Sequence, residues 1–348
     1  MQRLPLTLPL DNEEECLRVA LEIAVQHCRP EWHGKQLLHE IFKDGITNKI
    51  FSVYASDDDK DRIVFRLYGR NTDKIIDRAA ELEHWAHLNS KGLAARLYAA
   101  FENGIICGFQ PGLPFSTSML RDPPIQRRIC AAVAAMHDLH NSAEADSETQ
   151  PLFQAKLQTF LDNLNAQFEY ETADKRQHYC QHFDHIDLRD EVRRMEEEIA
   201  KTRSSLAFCH NDLLIYNILY DSATDKVSFI DYEYCGVNYE LFDIGNHFNE
   251  WSGVVDPDFS LCPSEEERRV WLECYFNSRR SATTESVNER VKRSMQHILL
   301  FEAASHLFWS VWSLVQSQNS TIDFDYLSYA SSRFGEYRRK MEEYMKKE

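Results

Sequence analysis

The residues with the clearest chemical potential lie in HNDLLIYN, residues 210–217, and VSFIDYEY, residues 227–234. Asp212 and Asn217 stand five positions apart in a loop between β-like segments. One can address a substrate hydroxyl while the other turns an amide oxygen toward a metal. Fourteen residues after Asn217, Asp231 ends an apolar strand and offers a second hard oxygen ligand of the kind magnesium takes. Taken singly, each has a bland reading, because an Asp at a strand end commonly forms a turn. Together, in this order, they match what phosphoryl transfer requires: a positioned hydroxyl, a carboxylate to take its proton, and a cation to neutralise phosphate.

HxDxxxxN followed by a strand-end Asp resembles the catalytic core of eukaryotic-like kinases and their antibiotic- and choline-phosphorylating relatives. The stretch FIDYEYCGVNYELFDIGNHFNEW, residues 229–251, narrows this to a resemblance to the choline and ethanolamine kinase family. The resemblance runs from about Ile41 to Tyr337 and is densest from Phe208 to Trp251. It implies an α+β, bilobal protein-kinase-like fold, with a small sheet-containing ATP-binding lobe at 1–109 and a large, mainly helical catalytic and acceptor-binding lobe at 110–348. It also implies that Asp212 is the catalytic base, that Asn217 and Asp231 hold Mg2+, and that His210 braces the loop. Asp243 and Asn246 fit either loop support or direct contact.

For ATP, the resemblance matches Arg66 in FRLYG and Glu81 in DRAAEL to the strand cation and helix carboxylate that hold the phosphates. It places Thr47 and Asn48 of KDGITNK at a phosphate-covering turn, and Phe109 and Gln110 of GFQPG at the adenine. For the acceptor it implies a pocket of Tyr234, Glu250, Trp309, Trp312, Phe324 and Tyr329. Such a pocket suits a cationic amino alcohol, since an ammonium is drawn to aromatic faces as well as to carboxylates. Outside the resemblance, Trp309 and Trp312 read as core packing at helical spacing. After HFNEW the chain runs SGVVDPDFS, as ethanolamine kinases do, where choline kinases carry a tyrosine-rich stretch. Ethanolamine is therefore the expected acceptor. Choline kinase is the alternative, an aminoglycoside-type phosphotransferase a more distant one, and a catalytically silent kinase-like scaffold the non-enzymatic rival.

The elements that must carry these residues follow from periodicity. Glu13–Cys28 reads as an amphipathic helix, Lys49–Ala55 and Arg62–Tyr68 as strands, and Thr72–Lys91 as a helix. Strands at Arg96–Phe101 and Gly104–Phe109 lead to a Pro and Gly cluster at 110–114, the expected hinge. Helical patterning follows at Ile125–Leu139, Phe153–Phe168 and Leu188–Arg203, then strands at Leu206–Cys209 and Val227–Asp231. Four more helical stretches are expected at Tyr239–Trp251, Ser264–Phe276, Ser286–Val315 and Phe324–Tyr344.

Bulk properties agree. A chain of 348 residues with 43% hydrophobic content can bury a large interior. A formal charge of −17 argues against a nucleic-acid surface as the main partner. The 9 cysteines show no CxxC spacing, so reduced thiols are expected rather than zinc or disulfides. The opening MQRLPLTLPLDNEEEC has no secretory pattern, and Ile298–Val315 is interrupted by Glu302 and His306, so a buried helix, no membrane insertion and a cytoplasmic location are expected. A homodimer stays open.

Overall fold

The structure, a computed structural model, describes residues 1–42, 48–55, 61–69, 72, 75–140, 149–165, 168–253, 256–280, 284–320 and 322–347, with Asn48 described by its backbone alone. Thr47 and the rest of KDGITN before Asn48 lie outside the described residues, as do Val254 and Val255 of SGVV.

In chain order the elements are β1 (Gln2–Leu4), α1 (Glu13–Ile23), β2 (Leu38–Phe42), β3 (Asn48–Tyr54), β4 (Ile63–Tyr68), α2 (Arg78–Ser90), β5 (Leu97–Phe101), β6 (Gly104–Gly108) and β7 (Leu113–Pro114). Next come α3 (Pro123–His137), α4 (Leu152–Asn163), α5 (Ala173–His182), α6 (Leu188–Thr202), β8 (Leu206–Cys209), β9 (Ile218–Asp221), β10 (Lys226–Phe229) and β11 (Gly236–Tyr239). The chain finishes with α7 (Glu240–Asn249), α8 (Glu265–Ser278), α9 (Val287–Asn319) and α10 (Tyr326–Met345). Packing divides them into two compact units, Met1–Leu113 with Leu219–Ile230, and Pro114–Ile218 with Asp231–Glu348.

The first unit is built on a six-stranded sheet in the order β1-β5-β6-β4-β3-β2. Antiparallel registry sets Arg66 of β4 opposite Ile50 of β3 and Ile105 of β6. Phe51, Phe65, Leu67 and Ile106 are buried against Ala20 and Ile23 of α1. Helix α2 starts at Arg78 instead of Thr72 because the Asp77 carboxylate accepts the N–H groups of Ala79 and Ala80 and caps it there. Gly112 has φ 123°, and a Cβ on it would fall 2.9 Å from the Tyr220 carbonyl carbon of β9, so only glycine fits that turn.

The second unit is a helical body around α9. Its apolar 18-residue window is wholly buried by neighbouring elements, which makes it a core helix. Gly245 of α7 lies so close to α9 that a Cβ would meet Glu302 N and Phe301 C at 2.9 Å. The two helices therefore pack almost backbone to backbone. Strands β8 and β11 pair antiparallel, Cys209 facing Gly236 and Leu206 facing Tyr239. That pairing brings the chain after Cys209 beside the chain before Gly236, the two stretches that carry Asp212 and Asp231.

Several elements depart from the sequence reading. Strand β2 was not expected, because it is an edge strand whose first three residues are exposed and show no alternation. Helix α5 has no buried residue at all, so no apolar stripe marks it. Helix α4 ends at Asn163 and not Phe168, and α7 begins only after Tyr239 has served as the last residue of β11. The sequence reading also did not expect strands β1, β7, β9 and β11, and β10 stops at Phe229 and not at Asp231.

Candidate active site

The loop that carries Asp212, the candidate catalytic loop, leaves β8 at Cys209 and runs through a one-turn 3-10 helix, Ile215–Asn217. Its backbone is held from behind. Asp243 of α7 accepts the N–H of His210 at 2.8 Å and that of Asn211 at 2.7 Å, and His137 Nε2 stands 2.9 Å from the same carboxylate. Since a carboxylate only accepts, His137 carries its proton on Nε2, leaving Nδ1 to the Tyr275 hydroxyl at 2.7 Å. Burial pushes the Asp243 carboxyl up, but the bonds from His137 and His210 outweigh it and hold the group below its ordinary value. Asn246, one turn later, accepts the N–H of Leu213 at 2.9 Å and donates to Ser305 of α9 at 3.2 Å. Asp243 and Asn246 thus support the loop. His137, Cys209 and Asp243 form the one tight His, Cys and carboxylate cluster among the described residues, and its oxygens are spent on these hydrogen bonds.

Asn211 has φ 69° and Asp231 φ 64°, left-handed conformations uncommon outside glycine. The Asn211 amide pays for this with bonds to Tyr234 O at 2.8 Å and from Asn238 at 2.7 Å. The fully buried His210 ring receives the Asp212 N–H at 3.3 Å.

Asp212 is half-buried, and Asn217 Nδ2 donates to both its carbonyl oxygen and its carboxylate Oδ2, at 3.0 Å each. Burial, then Asp231, Glu250 and Glu233, push the Asp212 carboxyl well above its ordinary range. This crowd of carboxylates tests the fit of a divalent cation. With its N–H groups committed to Asp212, Asn217 presents its amide oxygen, and with the Asp231 carboxylate it makes a hard, oxygen-only donor pair that suits magnesium.

Beside Asp212 the acceptor residues named by the sequence form one connected set. Tyr234 meets Trp309 edge to face at 5.2 Å, and its hydroxyl accepts the Trp312 Nε1–H at 2.7 Å. Trp309 and Trp312 lie 5.4 Å apart, Trp312 meets Tyr326 at 5.9 Å, and Phe324 touches both Tyr326 at 4.9 Å and Tyr329 at 5.7 Å. Burial raises the Tyr329 hydroxyl, and Glu250 and Asp212 lie close enough to add to the rise. Glu250 closes the set through Arg333 Nη2 at 2.8 Å. Sequence reasoning missed Arg333 and Tyr326. Arg333 follows Tyr329 by four positions on α10, with its guanidinium carbon 5.4 Å from the ring centre, and that i, i+4 spacing was its only signal.

In the first unit Arg66 Nη1 donates to Glu81 Oε1 at 2.7 Å, and Arg78 Nη1 takes Oε2 at 2.8 Å. Both Arg66 and Glu81 are buried, which sets the pair apart from a surface ion pair. The Phe109 N–H is donated to Arg62 O at 3.2 Å, and Gln110 Nε2 to Ser228 Oγ at 3.0 Å.

The sequence profile of the choline/ethanolamine kinase family matches residues 39–338. Human ethanolamine kinase 2 is 35% identical over 327 residues, which cover 94% of this chain and 81% of that protein. Among solved structures, the Plasmodium vivax ethanolamine kinase superposes with a TM-score of 0.80 at 27% identity, over 95% of this chain and 91% of that one. The choline kinase of Cryptosporidium parvum shares the fold at a TM-score of 0.74 and 22% identity, covering 95% of this chain and 96% of its own.

Proposed function

The chain belongs to the choline/ethanolamine kinase family, and on that premise we propose that it transfers the terminal phosphate of ATP to the hydroxyl of ethanolamine. Its fold is the α+β, protein-kinase-like fold of these phosphotransferases. The observation that carries the acceptor class is the unbroken set from Tyr234 through Trp309, Trp312 and Tyr329 to Glu250, beside Asp212. Aromatic faces and a carboxylate next to a proton acceptor suit a small molecule with an ammonium at one end and a hydroxyl at the other.

In this reading Asp212 orients the acceptor hydroxyl and takes its proton as that oxygen bonds to the terminal phosphorus and the bond to ADP breaks. The bond from Asn217 occupies one face of the carboxylate and fixes its plane. Asn217 and Asp231 hold the magnesium, which when bound supplies positive charge to the phosphate oxygens. Arg66, fixed by Glu81, binds the phosphates of ATP, with Thr47 and Asn48 as further phosphate contacts. Phe109 and Gln110 lie at the adenine; with the Phe109 N–H already donated to Arg62, that residue contributes its carbonyl and ring.

A primary ammonium brings three N–H donors that need acceptors, and a trimethylammonium brings none. Glu250 answers the first demand, and the likeness to human ethanolamine kinase 2 and to the Plasmodium vivax ethanolamine kinase supports the same choice. An ADP-release assay with magnesium, run side by side on ethanolamine and choline, tests the proposal. Greater kcat/KM with ethanolamine is expected; greater efficiency with choline would reverse the acceptor, and no ADP with either would remove the kinase reading.

A further inference from the structure

Arg333 is fully buried, yet its guanidinium makes a single hydrogen bond, from Nη2 to Glu250 Oε1, and its Nε and Nη1 have no partner among the described residues. An arginine buried with most of its donors unused costs folding free energy, so stability does not explain its place. Glu302, the buried carboxylate that α10 reaches through Lys340, is already paired with that lysine and with Arg268. What Arg333 touches is the acceptor set, through Glu250 and the face of Tyr329. Only one oxygen of Glu250 is engaged; Oε2 has no hydrogen-bond partner among the described residues.

We propose that Arg333 is a positioning residue for acceptor selectivity: it pins Glu250 by Oε1 so that Oε2 is presented to the N–H groups of a primary ammonium. The inference rests on the ethanolamine reading and deepens it. A directed carboxylate oxygen rewards a group with donors. A quaternary ammonium, which has none, gains only the diffuse charge and the aromatic faces. Pinning Glu250 therefore separates the two acceptors more than its charge alone would.

The test compares the parent with Arg333→Met, Arg333→Lys, Glu250→Gln and the double variant Glu250→Gln/Arg333→Met, on ethanolamine and on choline, with thermal melts alongside. In Arg333→Met the ethanolamine KM should rise about tenfold or more, as expected for a lost charge-assisted hydrogen bond. The KM for ATP should stay within about twofold, the ratio of kcat/KM for ethanolamine over choline should fall, and Arg333→Lys should restore part of that ratio. Should Arg333→Met fail to fold because it strands a buried carboxylate, the double variant, which removes both charges, must show the same fall, and it should be no worse than Glu250→Gln alone. An unchanged ratio in the folded variants overturns the proposal. So does a lower KM for both acceptors, which is what removing a positive charge would do if field strength alone mattered. A parent that phosphorylates neither acceptor would instead overturn the functional reading.

Discussion

Asn217 Nδ2 reaches both the main-chain oxygen and the carboxylate of Asp212, at 3.0 Å each, so the amide that ends the loop holds the loop's one carboxylate. This fixed carboxylate is also an electrostatic burden, and the burden can be measured.

Asp212→Asn should lower kcat by about 10²–10⁴-fold, the usual worth of a general base, and at the same time stabilise the magnesium-free protein at neutral pH. The folded-state pKa of Asp212 is raised by burial and by Asp231, Glu250 and Glu233. The parent is therefore unburdened below the unfolded value of about 3.9 and loses stability as pH climbs from there through the folded value. The variant should melt higher than the parent at pH 7, with the gap closing near pH 4. Melts across that range check the sign; a variant less stable than the parent at pH 7 would contradict it.

Arg66→Met should raise the KM for ATP about tenfold or more while the ethanolamine KM stays within about twofold. Glu81 keeps Arg78 at 2.8 Å, so the buried carboxylate is not left alone and the variant should fold. Steady-state kinetics with each substrate varied in turn give the answer, and equal changes in both constants would detach the pair from ATP.

Trp312→Phe keeps a ring beside Trp309 and deletes the bond to the Tyr234 hydroxyl. A net hydrogen bond of about 1 kcal/mol corresponds to roughly a fivefold rise in acceptor KM. The same kinetic comparison checks it. A parallel rise in the KM for ATP would mark the tryptophan as general core.

Gly245→Ala forces a methyl group against the α9 backbone at Glu302 and Phe301. Overpacking of this kind costs about 1–3 kcal/mol, and because Asp243 and Asn246 ride on the same helix, kcat should fall with it. Urea denaturation and turnover measured on one preparation separate the two effects. Unchanged values of both would mean that α7 can shift without disturbing the loop.

The chemistry was legible where it is local. Asp212, Asn217 and Asp231 lie within a short stretch, and β8 ends at Cys209 as expected, although β10 stops at Phe229, two residues before Asp231. Support for the loop was only half legible: Asp243 and Asn246 stood out as polar residues near a helix start, but their roles depend on backbone N–H groups some 33 residues away. His137 and Arg333 were not legible, since their partners lie 106 and 83 residues distant and nothing in a linear pattern records such meetings. Helix α5 was missed because none of its residues is buried, and periodicity exists only where one face is hidden from water.

The dependence of α7 on α9 has a consequence for synthesis on the ribosome. Asn246 cannot find Ser305, nor Gly245 its seat against Phe301, until more than fifty further residues have emerged, and α9 is itself tied to α10 where Ser310 donates to Ala330 O at 2.8 Å. The segment 209–217 and the Asp243 and Asn246 that hold it are thus translated well before the α9 residues that seat α7. At about 5–20 residues per second, several seconds separate the emergence of the loop from that of the α9 residues against which α7 is seated.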